Sequence, residues 1–178
     1  MVKDKVETLF FQEKPMKIVL ATKRADKPVY VAKLSKETDS TYAHTFRVVS
    51  KLEELGLVVS KEEGRVKLVK LTEIGEAVAG ELLTLLDLSE LVEIAAAIES
   101  LYEREVKGHL RGDIDKGAVL GRLEQQTKKL ELLTCEKPEV VTQLAKKQLK
   151  RIEEISREVK GLIVGQRSGA EFTPTILS

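Results

Sequence analysis

The chain has 178 residues, 42% of them hydrophobic and 33% charged, with 30 Lys+Arg against 29 Asp+Glu. That is enough apolar material for a buried core, and it excludes a disordered chain; no run nears the roughly 20 apolar residues of a membrane span, and the start MVKDKVETLF has no signal-peptide layout, so a cytoplasmic location is expected. One cysteine, Cys135, and two histidines exclude a disulfide framework and a multi-cysteine zinc site, and no metal or cofactor is expected.

In chain order, the apolar stretch from Val6 to Thr22 predicts a lead-in and then a helix starting near Pro15, with Met16, Val19 and Leu20 facing inward. Val29-Tyr30-Val31 predicts a short strand, followed by a brief helix from Ala32 to Thr38. Asp39 and Ser40 are favoured helix N-caps, and a longer helix is expected to run from there to Leu55. Gly56 sits where a left-handed cap is wanted. The run from Leu57 to Lys61 and the alternating Val66-Lys67-Leu68-Val69-Lys70-Leu71 predict a two-stranded hairpin with Glu62-Glu63-Gly64-Arg65 as its turn. Thr72 is placed to cap the next helix.

Beyond Glu76 the pattern is helical. One helix is expected to reach Ser89, read as a cap, and a second to run from Glu90 to about Lys107. Gly108 to Gly117 is the clearest loop. A helix marked by Leu120, Leu123, Leu130 and Leu133 stops before Pro138, with Asp115 as its cap and Cys135 as a small apolar filler at its end. The last helix, Pro138 to Lys160, spaces Val141, Leu144, Ile152, Ile155, Val159 and Leu162 in steps that suit a bundle or coiled-coil seam. Asp113, Asp115 and Glu124 have a partial calcium-loop spacing that fails at the internal positions, where Gly117 and Ala118 stand. No phosphate loop is present, and neither histidine has an evident catalytic partner, so enzyme activity is not expected.

The order of helix, short helix, tight polar turn, longer helix, glycine stop and glycine-tipped hairpin is that of a winged helix-turn-helix. The fold class expected is therefore mainly α with a small β-hairpin wing. A DNA-binding domain spans 1–80, a helical dimerisation or partner region 81–162, and an irregular tail 163–178. Residues 1–75 carry 15 Lys+Arg against 11 acids and the remainder 15 against 18, which directs an anionic partner to the first part. Lys51-Leu52-Glu53-Glu54-Leu55-Gly56-Leu57-Val58, Gly64-Arg65-Val66-Lys67 and Leu71-Thr72-Glu73-Ile74-Gly75 resemble the signature of MarR-type and related archaeal winged-helix regulators. The resemblance covers residues 15–80 and implies a regulator, and it places Arg47 where such recognition helices are often basic.

At about 100° per residue, Ser40, His44, Arg47 and Lys51 fall within an arc of roughly 60°, and Thr45, Val48, Val49 and Leu52 cluster about 120° away. A recognition helix needs that division between a packed flank and a polar one. Arg47 could grip guanine, Ser40 and Thr41 donate to phosphate beside free backbone N–H groups, and Lys51 meet the backbone further along. An ordinary solvated helix face has the same composition. Tyr42 and Phe46 lie off both stripes and are expected against the first helix or a dimer partner. Lys61, Arg65 and Lys67 surround the wing tip, Arg65 expected to matter most, while Glu62 and Glu63 oppose it.

The function expected is a sequence-specific, homodimeric transcriptional regulator of double-stranded DNA, two recognition helices lying about 34 Å apart over a palindrome. The competing reading is a winged-helix protein-interaction module in a chromosomal or replication assembly. A third is a regulator answering a small-molecule effector, with Phe10, Phe11 and Tyr102 as candidate lining.

Overall fold

A computed structural model describes residues 12–25, 27–64, 66–109 and 114–161. The lead-in through Phe11, the wing residue Arg65, loop residues 110–113 and the tail from 162 lie outside the described residues. The chain forms two compact units that divide after Leu88.

In the first unit the order is α1 (Glu13–Lys23), β1 (Val29–Tyr30), α2 (Val31–Glu37), α3 (Tyr42–Glu54), β2 (Val58–Glu63), β3 (Val66–Leu71) and the start of α4 (Glu73–Glu105). Three helices, then a hairpin, with one strand inserted after the first helix, make a winged helix-turn-helix. Ile18 and Val19 of α1, Leu34 of α2, Val49 and Leu52 of α3, and Val58 and Val69 of the sheet are fully buried together. Each such side chain stabilises the fold by about 1.5–3 kcal/mol relative to exposure. Met16 is only half-buried, and Ile18 takes the central place expected of it.

The sheet has three strands in the order β1-β3-β2, all antiparallel. The short Val29-Tyr30 strand pairs with Val69 and Leu68, so the hairpin is not alone. The hairpin strands also run further than the sequence suggests. Glu62 pairs with Lys67 and Glu63 with Val66, so the ladder reaches Gly64, which takes φ 62°. Glycine supplies such a positive φ without steric cost.

At the end of α3, Gly56 adopts φ 71° as its position predicts. Thr72 caps α4: its Oγ1 accepts from the Gly75 N–H at 3.0 Å and donates to the Gly56 carbonyl at 2.7 Å. One hydroxyl therefore closes one helix and opens the next.

α4 is a single helix of 33 residues, not two. Asp87 to Glu90 holds neither glycine nor proline, and a serine inside a helix costs only a fraction of a kcal/mol. Ser89 therefore stands in mid-helix. The second unit contains the later part of α4 with α5 (Lys116–Leu132) and α6 (Glu139–Gly161). Asp115 caps α5, its Oδ1 accepting from the Ala118 N–H at 3.0 Å. Cys135 is exposed in the turn after α5 and fills no space.

The α6 stripe is Val141, Ala145, Ile152, Ile155 and Val159, all buried within the single chain. Leu144 is exposed, because it lies at the rim of the arc that Ala145 joins. The stripe is thus a bundle seam inside the chain's own core, and these five side chains are not exposed to a second subunit. Arg151 fastens α6 to α4 by a bidentate bond to Glu99, at 2.8 and 3.1 Å, with its guanidinium 4.6 Å from the Tyr102 ring centroid. The Tyr102 ring is thus occupied by a cation, and Phe10 and Phe11 lie outside the described residues. No described helix is long and apolar enough to cross a membrane.

Candidate nucleic-acid interface

α3 begins one residue later than Ser40 would have it. Its N-cap is Thr41, whose Oγ1 accepts from the His44 N–H at 3.3 Å. Asp39 is not a cap. It takes φ 47° in the turn after α2, and Ser40 donates its N–H back to the Ser35 carbonyl at 2.9 Å. This turn is pinned from outside. The Lys14 ammonium donates to the carbonyls of Thr38 and Asp39 at 2.7 and 2.9 Å, and the Thr38 hydroxyl donates to the Leu34 carbonyl. A lysine in the first turn of α1 therefore fixes the entry of α3. Nothing in its sequence surroundings announces that role, because the partner is backbone far along the chain.

Thr45, Val48, Val49 and Leu52 are all buried, so α3 is held on the flank the spacing predicts. With about 100° per residue, the direction opposite that flank belongs to Ala43, Arg47, Ser50 and Glu54. Ser40, His44, Arg47 and Lys51 form one side of this outward face, with Arg47 nearest its middle. His44, Arg47 and Lys51 are exposed; Thr41 is exposed beside them and Ser40 half-buried. The Arg47 side chain lies back along the helix, its Nε donating to the Ala43 carbonyl at 3.4 Å, and no carboxylate holds it among the described residues. Glu54 is exposed at the C-terminal end and repels phosphate, which confines contact to the earlier turns.

The other side of the outward face leads to the wing. Here Glu53, at the end of α3, accepts from the Ser60 N–H at 3.1 Å and hydroxyl at 2.5 Å with one oxygen, and from the Lys67 ammonium at 3.2 Å with the other. Lys67 also covers the Phe46 ring, 4.7 Å from its centroid, and only 12% of its side chain is exposed. Lys67 thus fastens the wing to α3 and has little charge left to offer outside. Lys61 does face solvent, with a loose 3.4 Å pairing to Glu63. Arg65 is outside the described residues. Phe46 lies on the wing side of α3, under Lys67, and the Tyr42 ring is 6.3 Å from it.

Hydrogen bonds from Ser60 and Lys67 hold the Glu53 carboxyl below the usual carboxylate range, against a smaller opposing effect of burial. A group with a lowered folded pKa lends stability above its unfolded pKa and withdraws it as pH falls through the folded value. The stability difference between the native chain and Glu53→Gln should therefore be about 0.5–1 kcal/mol near neutrality, since the pair is partly solvated. Denaturant titrations at successive pH values should show it vanishing in acid, below the ordinary glutamate range; a difference independent of pH would remove the tie from the account.

No family model matches the chain. Over 85 residues it is 26% identical to an uncharacterised protein of Archaeoglobus fulgidus, covering 46% of this chain and 90% of that one. A crystal structure of a protein from Archaeoglobus fulgidus aligns with a TM-score of 0.44 at 26% identity, over 47% of this chain and 94% of that one. A crystal structure of a MarR family transcriptional regulator from Silicibacter pomeroyi aligns with a TM-score of 0.41 at 19% identity, over 71% of this chain and 82% of that one.

Proposed function

We propose that the chain is a DNA-binding transcriptional regulator that inserts α3 into the major groove. The observation that carries this reading is the outward face of α3. It is rigidly backed by four buried residues, centred on Arg47, which has no carboxylate partner among the described residues, and flanked by His44 and Lys51. Arg47 would bond the O6 and N7 of guanine, and His44 a neighbouring base edge or phosphate. Thr41 caps with its lone pair, so its O–H remains free to donate to a phosphate, alongside Ser40. Lys51 and Lys61 would meet the backbone further along and at the wing, with Arg65 at the wing tip. Lys67 acts from inside, by holding the wing in place.

One winged helix makes few contacts, so tight and specific binding calls for a two-fold dimer on a palindromic site. With the α6 stripe buried in the chain, exposed apolar residues elsewhere in the helical region, Val92, Leu132 and Val140 among them, are available for that contact.

The test is selection of bound duplexes from a random pool by the full chain, followed by affinity measurements as salt is raised. A shared sequence should emerge, with log affinity falling linearly against log salt. Binding without sequence preference, or none, would instead favour a protein-interaction module.

A further inference from the structure

The proposal here rests on the reading of α3 as a duplex-reading helix, and deepens it to one base. Tyr42 and Phe46 are 47% and 38% exposed, large apolar surface on the helix that faces outward. Their rings stand 6.3 Å apart with planes tilted by 32°. Phe46 is not loose: the Lys67 ammonium lies over its ring, and that ammonium is itself held by Glu53. Between this aromatic pair and Arg47, going round the helix, comes exposed Ala43, whose single methyl lets the backbone come close to a surface. An apolar strip thus lies in the first turns of the helix, with Arg47 along one side and the Lys67 tie to the wing over the other.

The Arg47 guanidinium beside the strip, held by no carboxylate among the described residues, suits a polyanion and would be left unpaired against an apolar protein surface. On the floor of the major groove, the apolar group displayed by a base edge is the C5 methyl of thymine. We infer that Ala43, Tyr42 and Phe46 form a receiving surface for a thymine methyl, so that the chain selects a thymine close to the guanine taken by Arg47.

The test uses the full chain and a duplex selected from a random pool, with each thymine replaced in turn by uracil, which removes only the methyl. At one thymine near the Arg47 guanine, uracil should weaken binding about fourfold, the worth of one buried methyl. In Phe46→Ala and Tyr42→Ala, which should keep native circular dichroism because both side chains are partly exposed, that penalty should shrink toward none. A native chain indifferent to uracil at every position overturns the inference, needs no variant, and leaves DNA binding intact. A penalty undiminished in both variants assigns the methyl to other residues and also overturns it. Failure to select any sequence overturns the inference together with the reading beneath it.

Discussion

Replacing Gly75 by alanine should cost on the order of 3 kcal/mol, because the new methyl would meet main chain that cannot retreat. A Cβ built on Gly75 falls 1.9 Å from the Leu57 carbonyl oxygen and 2.9 Å from its carbon. That carbonyl is fixed from the other side. It accepts the Thr72 N–H at 3.0 Å, and the Thr72 hydroxyl that closes α3 lies 3.3 Å away. Moving it would loosen the cap of α4, the stop of α3 and the start of β2 together. Thermal unfolding should show a fall of about 6–12 °C. Gly80 is the matched control: it is in the same helix with nothing within 4 Å of its built Cβ. Gly80→Ala should raise stability by up to about 1 kcal/mol. Equal melting of the two variants would contradict the close approach of Leu57 to α4.

Arg47→Ala should weaken binding to the selected duplex by about 1–3 kcal/mol, roughly 5- to 150-fold, and relax the preference at one base pair. Arg47 is near the middle of the face opposite Thr45, Val48, Val49 and Leu52, and its only described bond is a 3.4 Å one to the Ala43 carbonyl, easily exchanged for a base. Folding should be unaffected, since the side chain is exposed. Lys51→Ala should behave differently, lowering affinity about evenly across sequences and reducing the salt slope by about one. Equilibrium binding over a salt series separates the two; an Arg47→Ala chain with native affinity and preference would remove its role.

Much of the first unit is written in local pattern. The four-residue apolar repeat in α3, Gly56 and the Thr72 cap act within a few residues of themselves, so periodicity and capping chemistry expose them. Long-range features are invisible to that reasoning. Lys14 and Glu53 look like ordinary surface charges, yet one pins the turn before α3 and the other fastens the wing. Lys67 has the sequence position of a wing cation and the structural position of an internal strut. Ser89 misled because a good cap residue announces a helix start only where the preceding chain has reason to stop. Ala145 displaced Leu144 from the buried stripe because angular position, not side-chain size, decides what α6 buries.

The central claim is that the outward face of α3 occupies a major groove, and methylation of guanine N7 by dimethyl sulfate reads that groove directly. On the selected duplex, the native chain should protect a guanine in each half-site, and Arg47→Ala should leave that guanine as reactive as in free DNA. Full reactivity of every guanine under saturating native protein would contradict the account.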